Sequence, residues 1–536
     1  MIPSGHTDTF ARDNLPPADQ WPVFENLEAL AYPDRLNVAV ELIDRHVAEG
    51  RGDRLALIGE AGTHTFAELK RLVDKIANHL VANGLEPGNR VLLRSANSPM
   101  MAAVYFAILK AGGIVVATMP LLRAKELAVI IDKGAIAMAV CDASLAHELA
   151  GACAGRSVKT LHFGTPEWDA ALNAAPDTFA PCDTASDDVC LIGFTSGTTG
   201  VPKGTMHFHR DMLAICDCYA ADCLRAVPDD RFIGSPPLAF TFGLGGLVLF
   251  PWRIGAAAIL VEKVAPDDLM AAVAKHRASV MFTAPTAYRA MLQKRDDHDL
   301  SSLRTCVSAG EALPKATFDA WKAATGITIL DGIGATEMLH IFIAAPEAAV
   351  RPGATGKPVR HYRAKVIDET GNECPDGSPG RLAVRGPTGC RYLADPRQAD
   401  YVAGGWNITG DTYIRDGDGY FWYQARSDDM IISAGYNIAG PEVEAGLLTH
   451  PAVAEAGVVA APDPDRGQIA KAYVVLKPGV SDDGALVRAL QDHVKAELAP
   501  YKYPRAVTFV DALPRTETGK LQRFALRERA KAEAAA

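Results

Sequence analysis

The 536-residue sequence has no long uninterrupted apolar run. Its two most apolar stretches are broken: residues 101–116 hold Lys110 and the pair Gly112 and Gly113, and residues 243–260 hold Pro251 and Arg253. A bilayer-crossing helix needs about 20 consecutive, mostly apolar residues, so both stretches read as buried elements and no membrane is expected as a partner. An excess of positive charge is also missing. The formal net charge is −10, which gives nucleic acid no support as the main partner. The N-terminus lacks the basic start and apolar run of a secretory signal. Cysteines paired at metal-ligand spacing are absent as well. The one cluster among the ten, Cys216, Cys218 and Cys223 with His207 and His209 upstream, matches no recognised pattern and reads as buried helical thiols. Unpaired thiols without an export signal fit a reducing cytoplasm. There is no internal repeat and no low-complexity linker.

What is present suits a large globular protein. A chain this long exceeds one compact core and implies two or more domains. In the first half, helix and strand signals alternate. Thr65, Phe66, Ala67 and Glu68 have the form of a capping box; Leu69, Leu72, Val73, Ile76 and Leu80 follow at helical spacing, and Gly84 ends the helix. Residues 91–93 read as a buried strand, 102–109 as a helix and 113–118 as a strand, and the alternation recurs near 136–141 and 279–282. A largely parallel sheet covered by helices is expected. Around residue 350 turns rich in Gly, Pro and Asp become dense, with short strand-like runs at 381–385 and 420–423, predicting an antiparallel, turn-rich subdomain. After Asp428 a smaller unit follows, with helices over 441–448 and 483–498 and a strand over 472–476. The Ala-rich end, 530–536, is expected to fray.

The strongest chemical signal is residues 195–204, Thr-Ser-Gly-Thr-Thr-Gly-Val-Pro-Lys-Gly, after the apolar run 189–194. Its glycines let backbone N–H groups approach a polyanion, and its hydroxyls and Lys203 add donors and charge, which suits a triphosphate. It is not a P-loop: counting from Gly197, the second glycine of that pattern would fall on Pro202.

This loop resembles the phosphate-loop signature of the superfamily of acyl- and aryl-CoA synthetases, luciferases and peptide-synthetase adenylation domains. Five further segments occur in that superfamily's order: Ser308 to Pro314 resembles its adenine-pocket segment, Asp331 to Glu337 its adenine and magnesium motif, Thr409 to Asp411 its ribose motif, Arg426 to Asp428 its hinge motif, and Pro514 to Lys520 its catalytic-lysine loop. Within the superfamily, residues 308–314, 331–340 and 501–505 look most like benzoate- and 2-aminobenzoate-CoA ligases. Two departures stand out. Ile333 occupies a position that is commonly tyrosine, and Ala425 replaces the glycine before the motif arginine.

The resemblance implies an α/β fold. A large multi-subdomain N-terminal part (residues 1–427, mostly parallel sheets plus the turn-rich β subdomain) would hold ATP and acid sites, and residues 428–536 would form a small mobile α+β lid. It also implies ATP, Mg²⁺ and coenzyme A as reactants and cofactors. Carboxylate attack on the α-phosphorus brings anions together, so charge must be neutralised by magnesium and fixed donors. Glu337 is the expected magnesium ligand. Lys520, Thr195 and Lys203 are expected at the reacting groups, Lys520 bridging the acid's carboxylate and the nucleotide in the first half-reaction. Ser196, Gly197, Thr198, Thr199, Gly200, Ala309, Gly310, Glu311, Asp331, Gly332, Ile333, Thr336, Asp411 and Arg426 are expected around the nucleotide. Without its motif Lys520 reads as surface charge, and Asp411 as a turn cap. In a second half-reaction the lid would swing about Asp428, and Gly435 would line the path of the CoA thiol, where only a missing side chain leaves room.

By the same resemblance the acid pocket comprises Phe240, Thr241, Phe242, Gly334, His340 and Ile341, a slot suited to a flat ring. His340 reads either as a polar partner for an ortho substituent or as a core histidine. Thr241 offers either its hydroxyl or its methyl. 2-Aminobenzoate is preferred over benzoate because of that hydroxyl. A medium-chain fatty acid ligase and an enzyme loading an aryl acid onto a separate carrier protein stay open; the 16 residues between Lys520 and the end at 536 leave no room for an attached carrier domain. The absence of an acidic residue over 240–246 disfavours amino acids. A homodimer, and a lysine acyltransferase that would silence Lys520 by removing its charge, complete the expected partners.

Overall fold

The computed structural model describes all residues except 196–201, 428, 434–435, 464–465, 483, 499–500, 517–518 and 536. The capping box forms: Thr65 Oγ1 accepts from the Glu68 N–H at 3.2 Å, and Glu68 Oε2 accepts from the Thr65 N–H at 2.8 Å. These bonds satisfy two of the donors that a helix start leaves open. The helix Phe66–Ala82 then buries Phe66, Leu69, Val73, Ile76, Ala77 and Leu80 along one face. The alternation that follows builds a sheet in the order Lys159–Phe163, Met138–Asp142, Arg90–Arg94, Ile114–Thr118, Val189–Thr195, Lys203–Phe208. Its pairings are parallel apart from the last, which is antiparallel.

A second, larger sheet has a parallel centre, running Ile329–Gly334, Thr305–Ser308, Val280–Thr283, Arg231–Gly234, Ala257–Ile259, Leu55–Gly59. Antiparallel strands flank it: Ile341–Ala344 and Lys357–Pro358 at one end, Gly62–Thr65 at the other. The 101–116 and 243–260 stretches lie inside the protein, as expected for apolar segments that cover sheets: Met101 through Leu109 are each at most 1% exposed, and Trp252 is fully buried. The turn-rich region forms the antiparallel sheet Arg363–Ile367, Pro379–Arg385, Trp406–Arg415, Val402–Ala403, with Phe421–Arg426 on Trp406–Arg415.

From Ile431 onwards the chain builds its own cores. The helices Gly440–Leu448 and Leu486–Glu497 enclose Val443, Leu447, Leu490 and Val494 with the sheet Val453–Asp463, Gly467–Leu476, Ala506–Phe509. The Ala-rich end differs from expectation. The helix Arg523–Ala535 runs through it, and Ala530 is fully buried with Leu526 and Tyr473. Composition suggested fraying, but small side chains also permit close packing of a helix on a sheet. Among the described residues, no helix is long and apolar enough to cross a membrane. Cys216, Cys218 and Cys223 are buried in the helical segment Cys216–Leu224, as read from sequence.

Candidate active site

Ligands of open α/β sheets collect at the carboxyl ends of parallel strands. In the larger sheet Thr283, Ser308 and Asp331 lie side by side at those ends. The chain beyond them carries Ala309, Gly310 and Glu311 after one strand, and Gly332, Ile333, Gly334, Thr336 and Glu337 from the next. Asp331 is half-buried, and its Oδ1 and the Ser308 Oγ are neighbours with no partner beyond each other. Burial pushes the Asp331 carboxyl up to about 8, with Ser308 and the Gly332 N–H opposing the shift. Buried polar atoms with so few partners are costly, and such a strand end suits a bound partner.

The smaller sheet supplies the flanks of the loop expected to meet phosphate. Thr195 ends its strand and pairs across the ladder with Lys203. Ser196, Gly197, Thr198, Thr199 and Gly200 between them lie outside the described residues. Lys133 donates to the Pro202 carbonyl at 2.9 Å and to Asp395 at 2.7 Å, fixing the exit of the loop. The turn Thr336–Met338 comes to this sheet: a Cβ at Gly193 would meet the Thr336 methyl at 3.1 Å. Buried Leu339, just after the turn, has φ +69°, a left-handed conformation that a branched side chain adopts only under constraint. Glu337 sits on that turn 3.8 Å from Lys203 Nζ. The Tyr392 hydroxyl bonds both, accepting from Lys203 at 3.0 Å and donating to Glu337 Oε1 at 2.5 Å.

The C-terminal domain reaches the same place. Gly310 has φ +91°, and a Cβ there would lie 3.4 Å from Lys520 Cε and 3.6 Å from its Nζ. The positive φ is what favours glycine here, and the lysine tip lies at ordinary contact distance from it. Lys520 retains solvent access but is crowded by protein. That desolvation lowers its pKa below the usual lysine value, Glu311 and Asp411 opposing the shift and Arg426 adding to it. The loop is braced from its own domain: Thr516 Oγ1 accepts from the Lys520 N–H at 3.0 Å, and Arg515 donates to the Gly519 carbonyl at 2.7 Å and pairs with Glu455. Glu455 also faces Arg289 of the N-terminal part at 3.9 Å. Asp411 and Arg426 stand opposite each other on neighbouring strands, with the guanidinium 3.4 Å from the carboxylate and lying across Gly410. Asp428 and Gly435 lie outside the described residues.

The acid-pocket residues divide. Phe240 precedes the helical turn Thr241–Leu244, and Phe240, Thr241 and Phe242 are half-buried. His340 is 3% exposed inside a cage of rings, with centroids 4.6 Å from Phe250, 5.5 Å from Tyr219, 5.6 Å from Phe242 and 6.4 Å from Phe282. Its Nε2 is 3.4 Å from the Phe242 carbonyl, and burial pushes its pKa down to about 3, so the ring is neutral near pH 7. Its Nδ1 and the Tyr219 hydroxyl are buried without partners. A side chain at Gly245 would overlap the His340 ring. Gly334 is exposed beside the His340 backbone, whereas Ile341 packs on Gly332 and belongs to the core.

Sequence reasoning missed Tyr392, Tyr219, Arg289 and Glu455, which carry no local pattern. It also missed a buried relay behind the Glu337 turn. Arg391 pairs with Asp211, whose carboxylate lies 3.6 Å from His207 Nδ1, and His207 Nε2 is 2.7 Å from the Thr336 carbonyl. Burial disfavours the Asp211 anion, but Arg391 and His207 outweigh it and hold the carboxyl at about 2.

Residues 44–392 match the family model of the AMP-binding enzyme, and residues 442–520 match the AMP-binding enzyme C-terminal domain. The chain belongs to the AMP-binding enzyme family. It is 37% identical to a benzoate–CoA ligase of Thauera aromatica over 93% of this chain and 97% of that protein. Among solved structures, an anthranilate CoA ligase in complex with anthranoyl-AMP is 35% identical with a TM-score of 0.89, covering 95% of this chain and 100% of that one. A benzoate CoA ligase from Burkholderia xenovorans LB400 is 32% identical with a TM-score of 0.84, covering 92% of this chain and 100% of that one. These likenesses bear out the α/β architecture expected of the superfamily, a large N-terminal part followed by a small C-terminal domain.

Proposed function

We propose that this family member is an ATP-dependent aryl-acid–CoA ligase, dividing near Asp428 into an N-terminal domain and a mobile lid. The single observation that carries the reading is Lys520, a residue of the small domain, placed at Gly310 among Glu311, Asp411 and Arg426 of the large one. Only the first half-reaction calls for a cation there. In it an oxygen of the acid's carboxylate bonds to the α-phosphorus of ATP, and the bond to diphosphate breaks. Lys520 bridges the two anions and holds charge as it builds on the α-phosphate. Thr195 and Lys203 hold the phosphates with the loop between them. Asp411 accepts from the ribose hydroxyls, and Arg426 braces the ribose. Asp331 and Ser308 offer their oxygens to the base, which lies along Ala309, Gly332 and Ile333. In the second half-reaction the lid turns, Lys520 withdraws, and the CoA sulfur displaces AMP from the adenylate carbonyl.

The residues present suit Mg²⁺. Among the described residues no group of three His, Cys, Asp or Glu side chains forms a cage. The Glu337 carboxylate stands 3.8 Å from Lys203, and magnesium is commonly held by one or two carboxylates plus substrate phosphates. The ion would neutralise phosphate charge there.

An aromatic acid is supported by the ring cage of Tyr219, Phe242, Phe250 and Phe282 and by the likeness to benzoate- and anthranilate-CoA ligases. 2-Aminobenzoate is favoured over benzoate because His340 is neutral and both its Nδ1 and the Tyr219 hydroxyl lack partners, so a ring amino group would find an acceptor. Thioester formation from 2-aminobenzoate, benzoate and their ring isomers, with ATP and CoA, tests this reading. Preference for an acid without a ring overturns it.

A further inference from the structure

Residues 388–392 grip the turn that carries Glu337 at three points. The Thr388 hydroxyl donates to the Met338 carbonyl at 2.8 Å. Arg391 acts on the Thr336 carbonyl through Asp211 and His207. The Tyr392 hydroxyl joins Lys203 to Glu337. The segment is itself fixed against the strand Lys203–Phe208, since the Met206 N–H donates to the Arg391 carbonyl at 2.7 Å and the Leu393 N–H to the Gly204 carbonyl at 2.8 Å. Tyr392 is fully buried, and Lys203 Nζ also lies 4.9 Å above its ring.

Lys203 and Glu337 are opposite charges in a partly dry site, where attraction is strong. They form an ion pair at 3.8 Å, and the phenol bonds both from the side, so each charge has a hydrogen bond to the same hydroxyl. Among the described residues Glu337 Oε2 has no hydrogen-bond partner, so the carboxylate keeps one oxygen for another ligand. We propose that Tyr392 is a positioning residue, a shared hydrogen-bond partner that orients Lys203 and Glu337 so that the lysine meets phosphate and the carboxylate meets the cation carried with it. This rests on the nucleotide site proposed above. Tyr392 takes no part in bond making.

The test is calorimetric titration of the full chain with ATP at a series of Mg²⁺ concentrations, wild type against Tyr392→Phe. The variant is expected to keep its melting temperature. It should bind Mg·ATP about tenfold more weakly, the loss of a hydrogen bond to a charged group, and need more Mg²⁺ for half-maximal binding. In a Glu337→Gln background Tyr392→Phe should add little, because the carboxylate it serves is gone. Equal Mg²⁺ dependence in wild type and Tyr392→Phe, or an undiminished further loss in the Glu337→Gln background, overturns the proposal. Should Tyr392→Phe not fold, a fluorinated tyrosine at 392, of similar shape with a more acidic hydroxyl, replaces it. An unchanged Mg²⁺ midpoint there overturns the proposal, and a shifted one supports it. A wild-type chain that binds no Mg·ATP refutes the nucleotide site itself, a separate failure from that of Tyr392.

Discussion

Replacing Lys520 by alanine separates the two half-reactions. The lysine tip lies about one van der Waals contact from Gly310, 3.6 Å from the position of a Cβ there, and faces two carboxylates, Glu311 and Asp411, and one guanidinium, Arg426. It is held there before substrate arrives by the Thr516 and Arg515 bonds of its loop. A preorganised donor aimed at developing charge contributes about 2.7–4 kcal/mol, so adenylate formation should fall about 10²–10³-fold. Diphosphate release in the absence of CoA reads that step. Conversion of a supplied aryl-adenylate to thioester should keep its rate if, as proposed, that step does not use Lys520. The pH dependence follows from the same geometry. Lys520 must carry its proton, and its pKa lies below the usual lysine value. Diphosphate release should therefore decline as pH rises through that lowered pKa, while Lys520→Arg moves the decline to higher pH. Equal loss of both half-reactions in Lys520→Ala refutes the assigned role.

Other changes test neighbouring parts. Gly245→Ala pushes a methyl into the His340 ring; overpacking of this kind costs about 1–3 kcal/mol, and the KM for the aryl acid should rise while that for ATP holds. Asp211 has a folded pKa of about 2 against an ordinary 3.8, so its pairing stabilises fully above pH 4 and is lost as pH falls through 2. Asp211→Asn should cost about 3–5 kcal/mol in urea unfolding at pH 7 by stranding Arg391, and should flatten the stability profile between pH 4 and 2. A cost near zero at pH 7 contradicts the burial argument. Arg289→Ala removes the large domain's contact with Glu455 of the C-terminal domain. The pair is partly exposed and worth about 0.2–1 kcal/mol, so adenylation should slow a few-fold with the thioester step spared.

Much of this was legible along the chain because it is local. The capping box at Thr65 needs only Glu68 three residues on. The strand ends at Asp331 and Ser308 and the lysine loop are short strings with their chemistry written in order. What stayed hidden is what the fold brings from afar. Tyr392 meets Glu337 across 55 residues and Lys203 across 189, and nothing near Tyr392 marks it. The Ala-rich end looked frayed because composition does not reveal that Tyr473 and Leu526 wait for Ala530. His340 was visible as a candidate, but its neutrality comes from four rings supplied by separate elements.

The central claim is aryl-acid activation followed by transfer to CoA. Its most direct test is a panel of acids, 2-aminobenzoate, benzoate, 2-hydroxybenzoate, 2-fluorobenzoate, hexanoate and octanoate, each given with ATP, Mg²⁺ and CoA and followed by AMP release and thioester formation. Aryl acids should lead, with 2-aminobenzoate ahead of benzoate by about tenfold or more, a difference of about 1.4 kcal/mol in the barrier. Octanoate in the lead, or AMP release without any thioester, contradicts it.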